Sequence, residues 1–161
     1  MKKVKFFFVG IILILLINNC AGYKPVFGTG NFQFKILNYT LEGEKKLGNQ
    51  IYSKLYSITK SIKDEDVSKN IDVTINSKKI KEATSKDSTG KTLEFKIEIY
   101  TKIIVKDYFG DQIILDRNFI VSESYKVQNQ YSETISNENR TIENLINKTS
   151  EEILIELSEK I

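Results

Sequence analysis

Hydrophobic residues recur along this chain with two distinct periods. Phe32, Phe34 and Ile36 alternate with Gln33 and Lys35, the period of two that predicts a half-buried strand over 31–38. From Leu41 the period lengthens. Leu47, Ile51, Leu55, Ile58 and Ile62 follow one another at steps of three and four, an apolar stripe that predicts a helix over 43–63, closed by Asp64-Glu65-Asp66. Ile71, Val73 and Ile75 alternate again, and the chain then passes through Lys78-Lys79-Ile80-Lys81 to a polar loop from Ser85 to Gly90. The longest alternation comes next. Phe95, Ile97, Ile99, Thr101, Ile103 and Val105 share one face, with Glu94, Lys96, Glu98, Tyr100 and Lys102 on the other. Phe109-Gly110-Asp111 turns the chain back into Ile113, Leu115, Arg117, Phe119 and Val121, where Arg117 is the one charged member of an apolar face. Ile135, Ile142, Leu145, Ile146, Ile153, Leu154 and Leu157 then predict a helix over 131–160, without a full capping box at Ser132.

The order is strand, helix, strand, strand, strand, helix. Three successive strands with short turns make an antiparallel meander, and the helix after the first strand is a crossover that can set that strand parallel to a neighbour. One apolar face per strand and one stripe per helix satisfy each other in an α+β two-layer sandwich: a four-stranded mixed sheet with two helices on one face. Residues 31–161 are enough for one such domain, and neither a repeat nor a second domain is visible.

The first 30 residues follow different rules. Met1 to Lys5 is basic, Phe6 to Ile17 is apolar throughout except for Gly10, and Asn18-Asn19 precede the chain's single Cys, Cys20. That is the order of an export signal over 1–19. As a helix the apolar run would reach only about 18 Å, against roughly 30 Å of hydrocarbon in a bilayer. The alternatives are an uncleaved anchor and a leader cut at Cys20. A single Cys in an exported chain has no internal disulfide partner, and lipidation supplies a use for it. Ile17-Asn18-Asn19-Cys20 resembles a bacterial lipobox, although Asn19 stands where Gly, Ala or Ser is preferred. The Cys20 thiolate would take a diacylglyceryl group as a thioether and then, as the new N-terminus, an N-acyl chain. Residues 20–30 become the lipidated N-terminus and its tether, and Ala21 at the following position predicts the periplasmic side of the outer membrane.

Charge changes the picture once its location is known. The chain has 24 Lys and Arg against 21 Asp and Glu, a net charge of +3. Lys2, Lys3 and Lys5 account for the whole excess, so the chain from Cys20 onward is formally neutral. Phosphate neutralisation along a nucleic acid needs a basic surplus on one face, so nucleic acid is not expected as a partner.

Catalytic signals are few. The chain contains no His, which excludes Ser-His-Asp and Cys-His triads and histidine metal sites. Gly28-Thr29-Gly30 begins like a dinucleotide fingerprint, but Gln33 replaces the third Gly and a strand follows. Asp64/Asp66 and Glu151/Glu152 could in principle supply an acid and a base, yet they fall at a helix end and on a polar helix face. Asn38, Asn139 and Asn147 open glycosylation-type triplets of the kind an Asn-rich chain produces by chance. Neither an enzyme, a cofactor nor a metal is expected.

Five lysines, Lys78, Lys79, Lys81, Lys86 and Lys91, gather toward the turn between the second and third strands. They are either a solvated hairpin protected against edge pairing or a tip that binds phosphates, for which Lys is a suitable point charge.

One family accommodates these features. After Cys20, the run Gly22-Tyr23-Lys24-Pro25-Val26-Phe27-Gly28 resembles the Cys-Gly-aromatic-x-Pro-aliphatic-aromatic-Gly opening of the lipopolysaccharide-assembly lipoprotein LptE family in its alphaproteobacterial form, with Ala21 inserted. Gly22, Tyr23, Pro25, Phe27 and Gly28 carry the likeness, and the predicted element order is similar to that family's fold. The resemblance implies an outer-membrane lipoprotein that binds and plugs the β-barrel LptD, supports its assembly, and helps lipopolysaccharide reach the outer leaflet. The lysines would then meet lipopolysaccharide phosphates, and a neutral domain with a polar surface suits the polar lumen of a large barrel. The alternatives are an unrelated periplasmic scaffold lipoprotein and a lipid-binding module, which would need an apolar cavity.

Overall fold

Every second residue from Ile97 to Val105 is buried on one side of a long strand in the computed structural model, which describes residues 34–60, 67 and 69–161. That strand, β3 (Thr92–Asp107), lies between β2 (Lys69–Lys86) and β4 (Ile113–Lys126), antiparallel to both. β1 (Phe34–Gly43) runs parallel to β2 at the other edge, giving the order β1-β2-β3-β4. The crossover is helix α1 (Lys45–Thr59), and helix α2 (Tyr131–Lys160) follows β4 back along the sheet. α1 packs on β1 and β2, and α2 on β4 and β3. The fold is the α+β arrangement β-α-β-β-β-α.

One core fills the space between the layers. Ile71, Val73 and Ile75 of β2, Ile97, Ile99, Ile103 and Val105 of β3, and Leu115 and Val121 of β4 meet Leu47, Ile51 and Leu55 of α1 and Leu145, Ile153, Leu154 and Leu157 of α2. Fully burying a side chain of this size contributes roughly 1.5–3 kcal/mol relative to exposure. The packing holds sheet and helices directly against each other, which argues against a lipid carrier with an apolar cavity.

The boundaries of β1 and α1 differ from those expected. β1 continues to Gly43, because a bulge between Ile36 and Asn38 shifts the register; beyond it Tyr39 and Leu41 pair with Val73 and Ile75. An extra residue exchanges the two faces, so the alternation in the sequence breaks off where the strand only changes parity. α1 starts later than 43, because Gly43 belongs to β1, and its described part closes with Lys60 N–H on the Tyr56 carbonyl, 2.9 Å. Ile62 and the Asp64-Glu65-Asp66 run lie outside the described residues. β2, for which the alternation sets no end, runs past Ile75 through the lysines to Lys86, paired with β3 as far as Thr92. Its last residues, Glu82 to Lys86, are exposed on both faces, so hydrophobic alternation gives no signal there.

A tight corner links β1 to α1. Gly43 has φ +67°, and a Cβ placed there would lie 2.4 Å from the Ser77 carbonyl oxygen. Glu44 N–H donates to that oxygen at 2.8 Å. The Glu44 carboxylate accepts the Lys79 N–H at 2.9 Å, and Ser77 Oγ donates to the Glu44 carbonyl at 3.2 Å. Glu44 precedes α1 without a side-chain cap of its own because its carboxylate is turned to the neighbouring strand.

Candidate functional site

The five lysines do not converge. Lys78 lies on the sheet face away from the helices, opposite Tyr100, whereas Lys79 and Lys81 are on the helix-bearing side with Ser77. Lys86 and Lys91 flank the hairpin turn. From Lys78 to Lys86 the strand spans roughly 26 Å, so no single phosphate could engage both ends.

Lys81 is committed to the fold. Its Nζ donates to Glu138 Oε2 of α2 at 2.6 Å and stands 4.4 Å from the Phe95 ring centroid and 5.6 Å from that of Tyr125. Tyr125 Oη donates to the same carboxylate oxygen at 2.9 Å. The group joins β2, β3, β4 and α2 through one ammonium, two rings and one carboxylate. Burial would raise the Glu138 carboxyl pKa, but hydrogen bonds from Lys81 and Tyr125 outweigh it and hold the group below its ordinary value. For Lys81 burial acts downward, and the bond to Glu138 turns the balance upward. A carboxylate with a depressed folded pKa stabilises the protein above its unfolded pKa, and this contribution is lost as pH falls through the folded value. Glu138→Gln is therefore expected to cost about 1 kcal/mol at pH 7, a figure reduced for the partial exposure of Lys81. The gap from the parent should narrow below about pH 4. Urea unfolding at both pH values checks this, and an unchanged gap would remove the charge from the account.

At the hairpin turn the carboxylate of Asp87 organises the backbone. Asp87 Oδ1 accepts from Thr89 N–H at 2.9 Å, Thr89 Oγ1 at 2.7 Å and Lys91 N–H at 3.0 Å. The Thr89 hydroxyl and then the Lys91 N–H hold its pKa below the ordinary carboxylate value. Lys86 and Lys91 thus bracket a fixed negative charge. Among the described residues neither forms an ion pair, nor does Lys78. The three lie at two separate places, Lys78 on the open sheet face and Lys86 with Lys91 at the hairpin turn.

The charged residue on the apolar face of β4 is resolved by its edge position. Arg117 reaches out of the sandwich and lies 3.8 Å from Glu156 of α2. An inward charge on an edge strand discourages pairing with another chain. Between the helices, a groove of about 440 Å³ is lined by Gln50, Ser53, Lys54, Asn139, Ile142, Glu143 and Ile146. Its mixed, solvent-open lining offers no apolar chamber for an acyl chain. Tyr39 and Tyr52 stack at 3.8 Å between centroids, with Tyr56 at 5.8 Å from Tyr52, an aromatic row where β1 meets α1. Tyr39 belongs to this row through the parity change at the β1 bulge. No helix among the described residues is long and apolar enough to cross a membrane. Cys20 and the opening residues Gly22, Tyr23, Pro25, Phe27 and Gly28 lie outside the described residues.

Against this architecture, the solved structures with the same arrangement are informative. Rare lipoprotein B from Shewanella oneidensis aligns with a TM-score of 0.54 at 13% identity, over 76% of this chain and 94% of that one. A minor lipoprotein from Acinetobacter baumannii gives 0.58 at 14% identity, over 78% and 91%. The chain shares its fold with these lipoproteins. The solution structure of an uncharacterized lipoprotein B from Nitrosomonas europaea agrees, with 0.55 at 12% identity over 83% and 88%. No family model and no curated protein sequence matches the chain.

Proposed function

We propose that this protein is a bacterial outer-membrane lipoprotein of the LptE type, anchored through acylated Cys20 on the periplasmic side. It binds an LptD-like β-barrel as a plug and supports barrel assembly and lipopolysaccharide insertion into the outer leaflet. It acts by binding, without catalysis or a cofactor. What supports this is a coincidence in one chain: a leader over 1–19, then Cys20 with the Gly22 to Gly28 opening, followed by the fold of the Shewanella and Acinetobacter lipoproteins. Neither feature depends on the other, since the opening is read from sequence and the fold from the arrangement of residues after it.

A plug needs a rigid body with a polar exterior, and a packed core under a surface of paired charges meets that need. Lys96 with Glu98 at 2.7 Å and Lys102 with Asp116 at 3.5 Å neutralise much of the exposed sheet face. Lys86 and Lys91 at the hairpin turn are the lysines best placed for lipopolysaccharide phosphates. Lys81 supports the fold instead.

Affinity purification from native membranes in mild detergent is expected to bring down an LptD-like barrel in equal amount. Recovery without any large barrel would favour an unrelated scaffold lipoprotein. Reversing Lys86 and Lys91 to Glu is expected to weaken lipopolysaccharide binding by about tenfold, each lost charge-assisted contact contributing a fraction of that. Unchanged binding would return the two lysines to a solvated hairpin end.

A further inference from the structure

The turn between β3 and β4 exposes two aromatic rings at the end of the sheet where β1 begins. Phe109 is 80% exposed and Tyr108 42%, and their rings meet edge to face at 5.1 Å. Ile113, a few residues on, is 55% exposed. Scattered apolar residues on a surface are ordinary, so their place and their backbone decide the matter.

The place follows from strand register. Phe34, the first described residue, pairs with Lys69, and Ile71 pairs with Asp107. Tyr108 N–H donates to the Asn70 carbonyl at 2.9 Å. The turn therefore lies beside the start of β1, about two strand spacings or roughly 10 Å away. The thirteen residues from Ala21 to Gln33 can span at most about 45 Å, so an acyl group on Cys20 holds the start of β1 within that distance of the bilayer.

The N–H groups of the turn from Asp107 to Asp111 all have partners. Asp107 Oδ1 accepts the N–H groups of Phe109 at 3.0 Å and Gly110 at 2.8 Å. The Asp107 carbonyl takes Asp111 N–H at 3.1 Å, and Asp107 N–H donates to the Gln112 carbonyl at 2.8 Å. Lys106 Nζ binds Asp111 Oδ1 at 2.9 Å. Unpaired N–H groups are what make irregular backbone costly in an apolar medium. With them paired internally, the rings are presented in a fixed pose and little is lost when the tip enters an interface, where aromatic side chains are favoured.

From this geometry we infer that, in the barrel-free lipoprotein, the Tyr108-Phe109 tip inserts into the headgroup region of the bilayer that holds the acyl chains. It is a second membrane contact that orients the sheet with its Lys86 and Lys91 end pointing away. The inference rests on acylation at Cys20, as proposed above.

The chain contains no Trp, so Phe109→Trp supplies a unique reporter. Tyr131→Trp is the control, since Tyr131 is 79% exposed but at the opposite end. Each full-length variant is expressed with its leader, purified from membranes, and reconstituted into phosphatidylethanolamine and phosphatidylglycerol vesicles containing lipid brominated on its acyl chains. The intact mass records acylation separately. Acylated Phe109→Trp is expected to emit further to the blue and lose most of its emission to bromine, while Tyr131→Trp is unaffected. Acylated protein with equal quenching at both positions, or none at Phe109→Trp, overturns the tip contact and leaves the anchor standing. A blue shift without bromine quenching marks a protein surface and overturns it too. Absence of acyl mass overturns the anchor, and the tip contact with it.

Discussion

Cys20→Ser is expected to abolish acyl labelling completely and to remove the mature-sized protein from the membrane fraction. Serine offers no thiolate, so no thioether to diacylglycerol forms and the cut that depends on it does not follow. The effect is large because nothing else described here holds the chain to a bilayer with comparable strength. Each buried CH₂ of an acyl chain contributes about 0.8 kcal/mol, and several chains together give stable anchoring where a single one is marginal. The 12-residue run from Phe6 to Ile17 reaches roughly 18 Å as a helix, too short to replace them as a span. Intact mass and fractionation separate the outcomes. An unchanged mass with full membrane retention would mean an uncleaved anchor and would sink the lipoprotein assignment. The tip at Tyr108 and Phe109 gives a further contrast: without acyl chains, two exposed rings should not retain the protein by themselves.

The parts of the fold that were legible in the sequence are those where one face is dry and the other wet. From Phe95 to Val105 the inward set includes Thr101, and it is buried with its neighbours despite its hydroxyl. α2 was legible for the same reason, although its buried stripe also includes Thr141, Thr149 and Ser150. Thr149 and Ser150 satisfy their hydroxyls on the carbonyls of Leu145 and Ile146, both at 2.9 Å. That local bonding lets polar residues occupy core positions without leaving a hydrophobic signal.

The less legible features depend on contacts between residues distant in sequence. The bulge after Ile36 reverses the faces of β1, so Tyr39 joins Tyr52 just beyond the strand expected over 31–38. Lys81 looked like its lysine neighbours because its partner, Glu138, is 57 residues away on α2. Phe109-Gly110-Asp111 was readable as a turn, but its nearness to the start of β1 follows only from the parallel pairing of β1 with β2. Sequence spacing alone could not separate a cation that braces the fold from cations free to meet a ligand.

Gly43→Ala is expected to destabilise the fold by about 3 kcal/mol, where Gly90→Ala should cost about 1. Both glycines have positive φ, +67° and +86°, so both substitutions carry the strain of a left-handed L-residue. Only Gly43 also lacks room. Its Cβ would fall 2.4 Å from the Ser77 carbonyl oxygen, while at Gly90 nothing lies within 4 Å. Because the obstacle is backbone, relief requires moving β1 from β2, and that breaks the corner where Glu44 N–H meets the same carbonyl at 2.8 Å. The Lys79 N–H on the Glu44 carboxylate and the Ser77 hydroxyl on the Glu44 carbonyl are lost in the same shift. These bonds set where α1 leaves the sheet, so the core contacts of Leu47 and Ile51 weaken with them. Comparing the two variants by urea unfolding isolates the close approach from the dihedral strain they share. Equal losses would mean that the corner relaxes freely and that α1 is held by its apolar stripe alone.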